Sequence, residues 1–168
     1  MSIVIIFGNR NPAPWQESLQ KKITNTAIEI HPAVKDKNAI RFAVCWKAEK
    51  DALRDYPNVE VIQSVGAGVE HVLSLHHLHD QINICRLVDT HLSQDMWHYV
   101  LLAVLANLRD FPTYFQNQLQ KEWKPTQYSA IPEKVIGIMG LGEIGGYVAE
   151  KFSEMGFTVC GWSRSQKY

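Results

Sequence analysis

One segment restricts the possible folds of this chain more than any other. Val135-Ile136-Gly137-Ile138-Met139 runs into Gly140-Leu141-Gly142-Glu143-Ile144-Gly145-Gly146 and then into Tyr147-Val148-Ala149-Glu150-Lys151-Phe152. An apolar run of strand length, three glycines spaced GxGxxG and a longer amphipathic run predict a strand, a tight turn and a helix. Each glycine has a steric role in such a turn. Gly140 permits the bend, Gly142 lets the backbone approach a pyrophosphate, and Gly145 lets the helix lie close to the strand. The N–H groups at the helix start have no intrahelical acceptor and lie at the positive end of the helix dipole, so they favour phosphate. A further strand expected at residues 157–162 completes a βαβ unit of the Rossmann type. In that setting a dinucleotide site is favoured over a glycine turn that merely packs a helix on a sheet. Its expected lining is Gly140, Leu141, Gly142, Glu143, Ile144 and Gly145.

The second strand of the unit ends in Trp162-Ser163-Arg164-Ser165, and Ser163 stands eighteen positions after Gly145. An NAD site places a carboxylate for the ribose hydroxyls near this point. Here a hydroxyl is followed by arginine, which removes repulsion toward a 2′-phosphate and supplies a bidentate donor for it. Ser163, Arg164 and Ser165 are therefore expected to contact the cofactor, with NADP preferred and NAD possible. If Arg164 is only a solvated turn residue, the choice stays open.

Upstream, strand-like runs at 3–7, 28–31, 40–46, 59–64 and 82–87 alternate with helix-like stretches at 15–26 and 69–75. Strands joined by helical crossovers predict an α/β domain whose parallel sheet is covered on both faces. From 93 to 121 the pattern becomes two consecutive helices, with a bend expected at Phe111-Pro112 because proline breaks a helix. Residues 124–132 are expected to be a loop.

Seventeen basic and seventeen acidic residues cancel, so no net field draws the chain to nucleic acid or an anionic membrane. No apolar run approaches the roughly 18 residues of a membrane span. Residues 3–7 are too short, and too closely followed by Gly8 and Pro12, for a signal peptide. A cytoplasmic protein is expected. Cys45, Cys85 and Cys160, odd in number and far apart, read as buried thiols of a reducing compartment rather than as disulfides or zinc ligands. His71, His76, His77 and His79 with Asp80 raise a metal reading, but their spacing favours a solvated helix end or loop. Ser64 is not in a GxSxG elbow, so hydrolase chemistry has no support.

A second glycine turn follows residues 61–64: Ser64-Val65-Gly66-Ala67-Gly68-Val69 lacks the third glycine of a nucleotide turn. Its N–H groups would suit a small carboxylate, and a plain structural turn is an equal reading of the residues alone.

With these motifs in order, together with Val44-Cys45-Trp46, Arg86-Leu87-Val88-Asp89-Thr90 and the helix from Gln94, the chain resembles the D-isomer-specific 2-hydroxyacid dehydrogenases. Within them it is similar to the glyoxylate/hydroxypyruvate reductase A-like branch. The resemblance implies a flavodoxin-like parallel-sheet substrate domain over residues 1–92. It also implies the first βαβ part of a Rossmann nucleotide domain, with hinge and dimerisation helices, over residues 93–168. It places the substrate carboxylate against Val65, Gly66, Ala67 and Gly68, with Trp46 in the same cleft and Met96 near the nicotinamide. His98 departs from the glutamate of many relatives.

The activity implied is NAD(P)H-dependent reduction of a small 2-oxo acid to a 2-hydroxy acid by a homodimer. The family's catalytic arginine, glutamate and histidine belong to a part of the pattern beyond Ser163-Arg164-Ser165. The chain thus resembles the N-terminal half of such an enzyme and is expected to be truncated, with no catalytic residue within it and no activity by itself. The alternative is a non-catalytic nucleotide-binding or interaction protein built on the same fold. A methyltransferase reading leaves Ser163-Arg164 and the Val65 turn unexplained.

Overall fold

A computed structural model describes residues 2–127 and 130–165. The chain divides into two compact units, Met1–Val88 and Asp89–Tyr168.

The first unit contains β1 (Ser2–Phe7), α1 (Ala13–Lys22), β2 (Ala27–Ile30), β3 (Ile40–Trp46), β4 (Val61–Ser64), α2 (Glu70–Leu73) and β5 (Asn83–Cys85). The strands form one parallel sheet in the order β2-β1-β3-β4-β5, the flavodoxin-like order. The run Ile3-Val4-Ile5-Ile6 is continuously apolar because both faces of β1 are covered. Ile3 and Ile5 pack with Ile28 and Val44 under Trp15 and Leu19 of α1. Val4 and Ile6 pack with Ala43, Cys45 and Ile62 under Leu53, Tyr56, Val72 and Leu75. Each such fully buried aliphatic side chain contributes about 1.5–3 kcal/mol.

Several elements are shorter than the pattern predicts, α2 among them with four residues. α1 ends at Lys22 because Ile23 turns extended, at φ −116° and ψ 92°. β4 starts at Val61 because the Val59 N–H turns back to the Tyr56 carbonyl. β5 spans three residues.

The second unit contains α3 (Thr90–Leu108), α4 (Phe111–Leu119), β6 (Val135–Met139), α5 (Glu143–Glu154) and β7 (Thr158–Trp162). The boundary expected at 92/93 falls inside α3. Asp89 caps that helix by accepting the His91 N–H at 2.9 Å, satisfying a donor that has no intrahelical partner. The bend between α3 and α4 lies at Arg109-Asp110, not at Phe111-Pro112. Asp110 takes a left-handed φ of 53°, and Pro112 sits in the first turn of α4, where its missing N–H breaks no helical bond.

Strands β6 and β7 pair in parallel, Ile138 opposite Gly161. Val148, Phe152 and Phe157 form the core beneath them with Ile136, Ile138, Val159 and the Trp97, Val100, Leu101 and Val104 stripe of α3. The Phe152 ring meets Trp97 edge-on at 4.8 Å and Phe157 at 5.2 Å. The opposite face of the pair leaves Val135, Met139 and Trp162 exposed.

That same asymmetry corrects the expectation of three buried thiols. Cys45 is buried in the central strand β3, where desolvation pushes its thiol up to about 12. Cys85 on the edge strand β5 and Cys160 on the bare face of β7 are exposed. Among the described residues no helix is long and apolar enough to cross a membrane.

Candidate dinucleotide and carboxylate sites

The glycine-rich turn of the second unit has the geometry its sequence predicts. Gly140 takes a φ of +103°, a conformation that side-chain-bearing residues rarely adopt, and its N–H donates to the Trp162 carbonyl at 2.8 Å. This bond ties the end of β6 to the end of β7. A Cβ on Gly145 would overlap the Gly140 carbonyl, so α5 can start close to β6 only with glycine there. A Cβ on Gly142 would meet open space.

The first helical bond of α5 runs from the Gly146 N–H to the Gly142 carbonyl at 2.7 Å, and no side chain caps this end. The N–H groups of Glu143, Ile144 and Gly145 therefore lack intrahelical acceptors. Leu141 lies over Gly161, 2.6 Å from where a Cβ would stand, which packs the turn on β7. Ser163 donates its hydroxyl proton to the Ser165 carbonyl, and the turn so formed leaves Arg164 exposed. A dinucleotide phosphate fits this arrangement: uncapped donors, no Cβ in the approach at Gly142, and a cation after β7. Met96 lies on α3 with its side chain partly exposed and takes part in none of the turn's hydrogen bonds.

The first unit carries the second site, at the carboxyl ends of β3 and β4, where ligands of open α/β sheets bind. A Cβ on Gly66 would stand 2.8 Å from Trp46 Cζ3, so the tryptophan at the end of β3 lies directly on the 65–68 loop. Not all four expected backbone donors are available. The Val65 N–H is taken by the Cys45 carbonyl at 3.2 Å, and the Gly66 N–H by Ser64 Oγ at 3.1 Å. Among the described residues the Ala67 and Gly68 N–H groups have no acceptor. Arg86 steadies the loop from outside, its Nη1 donating to the Ala67 carbonyl at 3.5 Å, and the Leu87 N–H reaches the Gly66 carbonyl at 3.0 Å.

Four neighbours of this loop were given no role beside it by the sequence reading. Ser64 is wholly buried and bonded to His71 Nε2 at 2.9 Å. The His71 ring packs edge-on against Trp46 at 5.3 Å, and burial lowers its pKa. Arg10 stacks over the other side chain of this wall, 4.7 Å from the Trp46 ring centre, and the Lys47 ammonium lies 5.5 Å from the same ring. A serine closing a strand before a glycine turn, with histidine seven positions later, is the signal that could have found the first pair. Instead His71 was grouped with His76, His77 and His79. The structure separates them: His76 and His77 both face Asp51, at 3.2 and 3.3 Å, and the His76 contact leads in holding that carboxyl below its usual range.

Residues 101–168 match the family model described as D-isomer specific 2-hydroxyacid dehydrogenase, NAD binding domain. Over 172 aligned residues the chain is 31% identical to glyoxylate/hydroxypyruvate reductase A of Yersinia enterocolitica and 29% identical to that of Serratia proteamaculans, covering 99% of this chain and 55% of each relative. Among solved structures, a D-isomer specific 2-hydroxyacid dehydrogenase of Xanthobacter autotrophicus in complex with NADPH superimposes with a TM-score of 0.89 at 29% identity, covering 99% of this chain and 54% of that one. The NADPH-dependent glyoxylate/hydroxypyruvate reductase of Sinorhizobium meliloti, in complex with NADP and sulfate, gives 0.88 at 32% identity over 100% and 54%. The chain thus spans about half the length of the relatives it matches. By sequence and by fold, the chain is similar to the N-terminal half of D-isomer specific 2-hydroxyacid dehydrogenases.

Proposed function

We propose that these 168 residues supply the substrate-carboxylate loop and the first part of the NADP site of a reductase that converts small 2-oxo acids of the glyoxylate/hydroxypyruvate type to 2-hydroxy acids. The observation that carries this reading is the Gly140 to Gly145 turn, where the Gly145–Gly140 contact and the uncapped start of α5 form a phosphate cradle. NADPH bound to the Xanthobacter relative and NADP bound to the Sinorhizobium relative support the cofactor choice.

Bound NADPH supplies the hydride. The α5 N–H groups would hold the pyrophosphate, Arg164 with Ser163 and Ser165 would take the 2′-phosphate, and Met96 would border the nicotinamide. The Ala67 and Gly68 N–H groups hold the substrate carboxylate, with Val65 and Gly66 shaping the loop and Trp46 screening it from water. The carbonyl also needs a proton donor, and its carboxylate a cation. We assign these to the arginine, glutamate and histidine that the family pattern places outside these residues.

The homodimer is assigned to α3 and α4. A cytoplasmic location rests on the three unpaired cysteines. Calorimetric titration of the chain with NADP and with NAD tests the proposal. Tighter binding of NADP is expected, and no binding of either overturns the cradle.

A further inference from the structure

Ser64 and His71 lie behind the 65–68 loop, and every polar position they offer is in use. The Lys47 N–H donates to His71 Nδ1 at 3.3 Å, so Nδ1 keeps its lone pair and the single ring proton is on Nε2. That Nε2–H donates to Ser64 Oγ at 2.9 Å. The same oxygen accepts the Gly66 N–H at 3.1 Å and sends its own proton to the Gly68 carbonyl at 2.8 Å. Both acceptor positions and the one donor of the hydroxyl are then filled. The Ser64 oxygen, itself wholly buried, fixes the loop at its first and last glycines. Between these fixed points the Ala67 and Gly68 N–H groups are left without an internal acceptor.

We propose that His71 is a positioning residue: its neutral Nε2–H imidazole, acting through Ser64, holds the 65–68 loop in the form that offers the Ala67 and Gly68 N–H groups to a carboxylate, and protonation of the ring releases that form. The proposal rests on the carboxylate reading of the loop. A second ring proton would sit on Nδ1 and face the Lys47 N–H, donor against donor, so one of the two must move. The charged groups around the ring are Glu70 on α2, which favours protonation, and Lys47 after β3, which opposes it. Arg10, from the segment after β1, lies over the Trp46 ring that His71 abuts. The Glu70 carboxylate also folds against Gly68, so a carboxylate ligand must displace a like charge. A loop set firmly by Ser64 is what keeps its donors in place when that happens.

The test uses the intact 168-residue chain, labelled with nitrogen-15, and oxamate, a carboxylate joined to a carbonyl that this chemistry does not reduce. Ring nitrogen signals should report the Nε2–H tautomer near neutral pH. The 65–68 amide signals should shift together with His71 as pH falls from about 8 to about 5. His71→Gln keeps a donor toward Ser64 and cannot titrate, so its loop signals should stay still, with oxamate affinity within about threefold of the parent. His71→Leu and Ser64→Ala should each weaken oxamate by roughly tenfold or more, with β1 amide signals certifying that the unit is folded. An Nδ1–H tautomer, loop signals that ignore His71 titration, or an unaltered loop in His71→Leu overturns the positioning role. Oxamate failing to move the parent loop signals overturns the carboxylate reading and the ligand half of this proposal, while the tautomer and pH arms still decide the positioning half.

Discussion

Gly145 stands against the carbonyl oxygen of Gly140 with no room for a side chain between them, whereas Gly142, three residues earlier, faces open space. The fold itself thereby requires glycine at 145, whereas glycine at 142 is explained by the proposed phosphate site. Gly145→Ala should destabilise the second unit by about 3 kcal/mol, at the upper end of the overpacking range. Gly142→Ala, at φ −78°, should leave stability within about 0.5 kcal/mol and weaken NADP. Denaturant unfolding followed by α5 amide exchange, beside calorimetric titration, separates the two. Equal loss of stability in both variants would contradict the assignment.

Arg164 is exposed after β7 and should act on the cofactor alone. Arg164→Ala removes charge-assisted bonds to a 2′-phosphate and should cost on the order of 1.5–3 kcal/mol in NADP affinity, with little change for NAD. Parallel weakening of both cofactors would show that it acts through the turn closed by Ser163.

Acid should weaken the first unit before its carboxylates titrate. Burial is the leading cause lowering the pKa of both His31, bonded to the Tyr56 hydroxyl at 2.7 Å, and His71. The unfolded chain then takes up protons near the ordinary imidazole value of about 6.5 while the folded unit resists them. Stability is therefore full above that value and falls as pH drops toward the lowered folded values. The thermal midpoint should decline between about pH 7.5 and 5, and the His31→Gln/His71→Gln double variant should decline less.

Helices α3 and α4 expose Tyr99, Leu102, Phe111 and Phe115, the last at 58% and the others at 65% or more. Phe111, Phe115 and Leu119 form one stripe of α4, an apolar surface of the kind that marks an interface. The chain should sediment as a dimer at micromolar concentration, and Leu102→Glu with Phe115→Glu should leave a folded monomer. A monomeric parent protein would count against the assignment.

The 168-residue chain should not reduce glyoxylate or hydroxypyruvate with NADPH above the uncatalysed rate. The histidine nearest the carboxylate loop, His71, already commits its one proton to Ser64. That proton is thereby not free for a developing alkoxide at the loop, and loss of a positioned proton donor costs orders of magnitude. A steady-state assay showing turnover near about one per second would place a catalytic acid among these residues.

The sequence by itself determined what depends on near neighbours in the chain. The glycine spacing at 140, 142 and 145 encodes a turn whose sterics are local, and the apolar runs at 3–7 and 40–46 encode strands buried on both faces. Together these imply the parallel α/β fold, and the expectation of a 2′-phosphate rests on the Ser163-Arg164 pair. The bend between α3 and α4 was misplaced because Pro112 was read as a breaker, when a proline in the first helical turn costs no bond and the left-handed Asp110 makes the corner.

Only the tertiary structure decided what depends on residues distant in the chain. Burial of Cys85 and Cys160 turns on which sheet faces are covered, and neither strand's own pattern carries that information. The grouping of His71 with Ser64, Trp46 and Lys47, rather than with His76 and His77, follows from the parallel pairing of β3 with β4. That pairing brings the ends of two strands together across fifteen or more residues of chain and spends the Val65 N–H on the Cys45 carbonyl. Hydrogen bonds of this kind are satisfied by whatever the packing brings within reach, so the Cys45–Val65 and Lys47–His71 bonds are announced by no spacing within one segment.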